Sequence, residues 1–122
     1  MKRILLLFLL CWSLVLPAFS GVYEDALSKN DKVFLYFYIP DCKTCKAFDR
    51  IYDSLQAKNK DFGYVRVDAN TLYGSRLIWK MRGRYVPYII LADSKTKKTV
   101  NISHTCVMDE VCMQRAMKSF KG

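Results

Sequence analysis

Histidine is almost missing from this chain: His104 is the only one among 122 residues. A metal centre that needs two imidazoles is thereby excluded. Internal repeats and low-complexity segments are missing too, which excludes a repeat architecture. Acids are scarce beside bases, 11 against 20, for a formal net charge of +9. No long basic run gathers that charge; residues such as Lys29, Lys58, Lys95 and Arg115 are scattered. With no nucleic-acid motif either, nucleic acid is not an expected partner, and the excess reads as a basic surface. Apolar runs longer than the seven residues of 33–39 are confined to the N-terminus.

That N-terminal run has a recognisable plan. Lys2 and Arg3 precede an apolar stretch over 4–16 broken only by Ser13; Pro17 ends it, and Ala18-Phe19-Ser20 forms a small-x-small cleavage site before Gly21. This is the pattern of a secretory signal peptide, too short for a comfortable membrane span. Residues 1–20 are expected to be cleaved, leaving 21–122 as one small domain with one core. Loss of Lys2 and Arg3 brings the net charge to about +7. An uncleaved N-terminal anchor is the alternative, and the one expected route to a membrane. The expected location is periplasmic or secreted. Cys11 lacks the small residues of a lipoprotein signal and leaves with the segment.

Four cysteines remain, 42, 45, 106 and 112. Export puts them in an oxidising compartment, and an even count suggests pairing. Four cysteines allow three connectivities; proximity favours 42–45 and 106–112.

The rest of the chain alternates between helical and strand patterns. Residues 21–30 read as a short helix with Val22, Ala26 and Leu27 inward. Residues 33–39 (VFLYFYI) form a continuous apolar run, as in a strand buried on both faces. From Thr44 the period is helical: Phe48, Ile51, Tyr52 and Leu55 share a face, while Lys46, Asp49, Arg50 and Asp53 point elsewhere. Residues 62–68 alternate as a second strand. Residues 71–81 form a weaker helix interrupted by Gly74. Residues 88–92 and 99–103 make a hairpin across a turn at 93–97. Residues 107–120 form a last amphipathic helix, with Met108, Val111, Cys112, Ala116 and Phe120 as candidate core. The order is α-β-α-β-α-β-β-α. Strands separated by helices favour a parallel core sheet, here closed by an antiparallel hairpin.

Within that order, Cys42-Lys43-Thr44-Cys45 is the informative motif. Two thiols one helical turn apart can close into a small disulfide and pass two electrons. The preceding strand and following helix favour redox use over zinc. The block 34–46 (FLYFYIPDCKTCK), the strand ending in Val67-Asp68, and Val86-Pro87 just before a strand together make residues 21–122 resemble the thioredoxin superfamily. The resemblance implies an α/β, thioredoxin-like fold: a central four-stranded mixed sheet flanked by helices, with an extra N-terminal helix. It implies a thiol–disulfide oxidoreductase with Cys42 and Cys45 catalytic, no cofactor, and protein thiols or disulfides as substrates, reset by a redox partner protein. Val86 and Pro87 match the family's cis-proline segment, whose backbone pairs with bound peptide. A monomer is expected. The chain departs from the family pattern at Asp41, where tryptophan is usual; at Tyr36, where many members carry a carboxylate; in its Lys-Thr dipeptide; and in a longer approach over 82–85.

Cys42 at the helix N-terminus would meet free N–H groups and the positive dipole end, lowering its thiol pKa; Lys43 and Lys46 add to this and Asp41 opposes it. Tyr36 and Tyr38 read as core aromatics. Within one regular helix Cys106 and Cys112 would point about 240° apart. A structural disulfide between them therefore requires Cys106 to precede the helix, with Asp109 as N-cap. Two alternatives stay open. One is a non-catalytic thioredoxin-fold assembly or binding module with a structural CxxC. The other is a soft-metal carrier, because His104, Cys106, Met108, Cys112, Met113 and Met117 could ligate copper; the expectation is no metal, since methionines at this spacing are more often core.

Overall fold

The apolar run at 33–39 becomes the central strand. In the computed structural model, which describes residues 21–122, it lies in β1 (Lys32–Tyr38), and Val33, Phe34, Leu35, Tyr36 and Phe37 are fully shielded from solvent. The expected signal peptide and Cys11 lie outside the described residues. β2 (Gly63–Asp68), β3 (Tyr88–Asp93) and β4 (Thr99–Asn101) complete a four-stranded sheet in the order β2-β1-β3-β4. β2 runs parallel to β1, reached through a helical crossover; β3 is antiparallel to β1, and β4 to β3. The mixed sheet and the helices that flank it match the expected α/β class.

The pleat sends alternate side chains to opposite faces. Phe34, Tyr36, Ile89 and Leu91 pack under α2 (Lys43–Lys58) and α5 (Glu110–Lys121), with Phe48, Tyr52, Leu55, Met113 and Met117. Val33, Leu35, Phe37, Val65, Val67 and Ile90 pack under α1 (Val22–Lys29) and α3 (Leu72–Lys80), with Tyr23 and Leu77. Burial of each such large side chain stabilises by about 1.5–3 kcal/mol. Two apolar layers on one sheet explain why β1 carries no polar alternation. Among the described residues no helix is long and apolar enough to cross a membrane.

Three local expectations change. In α1, Tyr23 rather than Val22 turns inward: Val22 is exposed, and Tyr23, Ala26 and Leu27 form the packed stripe. Gly74 does not interrupt α3. Thr71 caps that helix by accepting the Gly74 N–H at 3.0 Å, and a Cβ at 74 would collide with the Asp68 carbonyl. Glycine there permits close approach of helix to strand end. The last helix is two helices: a single turn, α4 (His104–Val107), stops at Met108, and Asp109 Oδ1 accepts the Cys112 N–H at 3.2 Å to start α5. The new start re-aims the face. Met108 and Val111 are exposed, while Val107, Met113 and Met117 fill the core beside Ala116 and Phe120.

Candidate functional site

β1 points its C-terminal end at the functional segment. Because β2 is parallel to β1 and β3 antiparallel, the C-terminal ends of β1 and β2 and the N-terminal end of β3 share one edge of the sheet. Phe37 faces Tyr88 across that end. Cys42, four residues past β1, and Val86-Pro87, just before β3, are thereby brought to the same edge.

Cys42 is the N-cap of α2, with extended backbone (φ −98°, ψ 111°). Its Sγ accepts the Cys45 N–H at 3.0 Å and lies 3.2 Å from the Thr44 hydroxyl. A sulfur at this position occupies the place of a capping oxygen, where unpaired helix N–H groups and the dipole favour negative charge. The first turn of α2 contains no acid, and Lys43 and Lys46 stand exposed around it. Asp41, also exposed, is the one opposing charge in the motif. Cys42 and Cys45 form a disulfide with Cα atoms 5.2 Å apart. Cys42 retains 9% of its surface and Cys45 3%, so a partner sulfur meets Cys42 first. Of the two bonded cysteines, Cys42 is the less shielded.

The Val86–Pro87 peptide bond is cis, Val86 is half-buried and Pro87 buried. Tyr85 packs edge-on against Tyr88 (5.5 Å between ring centres) and against His104 (5.2 Å), tying this segment to α4.

Behind Cys45 stands a group that reading of the sequence missed. The Tyr36 hydroxyl lies 3.0 Å from both the Cys45 carbonyl and Asp49 Oδ1, to which it donates its proton. Arg66 approaches Asp49 at 3.6 Å and stacks over the Tyr38 ring at 4.4 Å. Burial, reinforced by the Asp49 hydrogen bond, pushes the Tyr36 phenol well above the ordinary tyrosine range. Tyr36 is therefore a neutral donor. Asp49, placed by helical period away from the core face, instead reaches back across the start of the helix. Its spacing of four from Cys45, one turn along α2, was the available signal. Thr44 was the other residue missed, and its position inside the motif was its signal.

Cys106 and Cys112 also form a disulfide, Cα atoms 5.4 Å apart, between α4 and the first turn of α5. The soft ligands around them do not converge. Met113 and Met117 are inside the core, whereas His104 and Met108 are exposed. Among the described residues, no three His, Cys, Asp or Glu side chains group together as metal ligands.

No family model and no curated protein matches this chain. Solved structures do. A variant thioredoxin from Halobacterium salinarum is similar over 84% of this chain and 88% of its own, with TM-score 0.69 and 23% identity. Oxidised thioredoxin from Plasmodium falciparum is similar over 82% and 90%, with TM-score 0.66 and 14% identity. The first thioredoxin domain of mouse protein disulfide-isomerase A4 is similar over 78% and 68%, with TM-score 0.62 and 23% identity. At these identities the likeness establishes the fold: the chain is a thioredoxin-like α/β domain.

Proposed function

We propose that this chain is an exported thiol–disulfide oxidoreductase that exchanges disulfides with protein substrates through Cys42 and Cys45. The observation that carries the proposal is the capping sulfur. Cys42 is the more exposed cysteine, at the N-terminus of a 16-residue helix, with the Cys45 N–H aimed at it. A small disulfide between residues three apart closes too short a loop to be an effective staple, so a purely structural role leaves the capping geometry without purpose.

When reduced, the Cys42 thiolate attacks one sulfur of a substrate disulfide. A Cys42–substrate bond forms, and the other substrate sulfur leaves as a thiolate and takes a proton. Cys45 then loses its proton and attacks Cys42. The Cys42–Cys45 bond forms, the second substrate sulfur is released, and the substrate has gained two electrons, with one proton from Cys45 and one from solvent. Oxidation of a substrate dithiol is the same sequence reversed. A partner protein with its own dithiol or disulfide resets the pair. Pro87 offers no N–H beside the site, leaving the Val86 backbone to pair with an extended peptide whatever its side chains.

Export belongs to the same proposal. The 1–20 pattern supports it, and a second disulfide at Cys106–Cys112 suits an oxidising compartment. In an insulin-reduction assay the native chain is active and Cys42→Ser is inactive, while Cys45→Ser accumulates a mixed disulfide with substrate. Equal rates for the native chain and Cys42→Ser refute the catalytic reading. Mass spectrometry of the exported chain should give an N-terminus at Gly21.

A further inference from the structure

The connection from α3 to Val86 holds a device that the redox chemistry does not use. α3 ends in a Schellman closure: the Gly83 N–H donates to the Ile78 carbonyl at 2.9 Å and the Arg82 N–H to the Trp79 carbonyl at 3.0 Å. That motif sets one residue in the left-handed region, a place usually given to glycine. Here the residue is Arg82, with φ 61°. The neighbouring glycine is needed where it stands, since a Cβ at 83 would come within 2.5 Å of Ile78 and 2.7 Å of Tyr88. The chain thus carries an arginine at a strained position where glycine would be easier.

The side chains that this turn presents form a groove of about 520 Å³ lined by Trp79, Lys80, Arg82, Gly83 and Arg84. Lys80, Arg82 and Arg84 are exposed, and none has an acidic partner among the described residues; the ion pairs use other bases. One cation suffices to complement the end of a helix; three, with an indole 84% exposed beside them, exceed that need. Arg84 is two residues before Val86, at most about 7 Å along the chain. A side chain flanking the reacting disulfide of a bound peptide is within its reach.

We propose that this groove binds an acidic segment of the partner protein, its carboxylates on Lys80, Arg82 and Arg84 and its apolar atoms on Trp79. Binding here selects disulfide-bearing partners whose cysteines are flanked by Asp and Glu. That consequence rests on the redox proposal; binding of the acidic segment does not.

A fluorescein-labelled octapeptide of Asp and Glu, without cysteine, separates the two. Anisotropy should show it binding the exported chain with both disulfides intact, less tightly as salt rises, while a Lys octapeptide does not bind. Arg82→Gly and Arg84→Ser should each weaken binding about two- to fivefold, as expected for exposed charge pairs, and together more. Arg82→Gly relieves the left-handed turn, so its melting temperature should not fall, and lost binding there is not lost folding. Reduction of a neutral disulfide peptide without Asp or Glu should be unchanged in both variants, while that of one with Asp and Glu beside its cysteines should slow. Unaltered peptide affinity in the double variant overturns the proposal while leaving the redox reading intact. Tighter binding of these residues to anionic phospholipid vesicles than to the peptide overturns it in favour of a membrane surface. Peptide binding without insulin reduction keeps the groove and removes the redox reading.

Discussion

Replacing Tyr36 by phenylalanine takes one oxygen from the joint between β1 and the start of α2. The ring stays, with its edge contacts to Phe48 (4.8 Å between centres) and Tyr52 (5.1 Å). What goes is a hydroxyl shared between the Cys45 carbonyl and Asp49, each at 3.0 Å. One proton makes the equivalent of one hydrogen bond, a net contribution of about 0.5–1.5 kcal/mol, and more when the acceptor is charged. Two facts pull the figure back. Asp49 keeps 38% of its side chain in solvent and has Arg66 beside it, so it rehydrates. The Cys45 carbonyl sits in the first turn of a continuous helix and keeps its own ladder partner. The expected loss is about 1 kcal/mol, or about 4–8 °C in melting temperature for a domain of this size. The phenol's raised pKa adds a pH signature. Stability owed to the protonated hydroxyl is fully present below the ordinary value of 10.0 and is lost as pH rises through the folded value. Melts of the native chain and Tyr36→Phe, taken oxidised and from pH 6 to 10, should therefore differ by a constant amount. A difference under about 1 °C would show that the hydroxyl stabilises nothing, and that the joint is held by ring packing alone.

Gly74→Ala sets two effects against each other. Alanine gains about 1 kcal/mol of helix propensity, but its Cβ would overlap the Asp68 carbonyl, which is backbone and cannot swing aside. Overpacking of this kind costs about 1–3 kcal/mol, so urea unfolding should show net destabilisation, and a stabilised variant would refute the close approach. Glu110 lies 3.0 Å from Lys58, whose hydrogen bond, with one from Ser54, holds the carboxyl below its ordinary 4.5. Stability from this depressed group is present above 4.5 and lost as pH falls through the folded value, so the melting advantage over Glu110→Gln should close on acidification; a gap that persists in acid would refute it. The reduction potential of the Cys42–Cys45 couple, equilibrated against glutathione, should lie above the roughly −270 mV of thioredoxin, and a lower value would put the pair on the reducing side.

The strands were legible for different reasons: β1 and β3 are apolar runs, β2 alternates, and β4 follows from the turn that joins it to β3. The seven-residue run around Phe34–Phe37 favoured a strand with cover on both faces, and α2 announced itself through Phe48, Ile51, Tyr52 and Leu55. The last helix was misread for a physical reason. Met108 and Val111 fit the helical period as well as Met113 and Met117, and only the break at Met108, set by the Asp109 cap, decides which set faces the sheet. Val22 and Tyr23 posed the same choice: adjacent apolar residues, with one face available. At the site, a cysteine after a strand was visible, but Asp49 was not. Its side chain reads as a solvated acid until β1 is known to bring a tyrosine hydroxyl to the same point. Long-range polar pairs such as Tyr36 with Asp49 leave no periodic trace.

That pair bears on the direction in which electrons move. The features that favour negative charge converge on Cys42: the cap position, the Cys45 N–H, the Thr44 hydroxyl, and Lys43 and Lys46 around a first turn without acids. Asp41 alone opposes them within the motif. Behind Cys45, a carboxylate in place of Tyr36 would put a buried negative charge near the couple and oppose a thiolate there. Tyr36 places a neutral phenol instead, and the acid it meets, Asp49, is partly hydrated and close to Arg66. Whatever stabilises the Cys42 thiolate stabilises the reduced pair relative to the disulfide. Each tenfold gain moves the potential up by about 30 mV. The charges around this motif therefore argue for a disulfide that is easier to reduce than one backed by a carboxylate, and the expected outcome is a measured potential on the oxidising side of exchange.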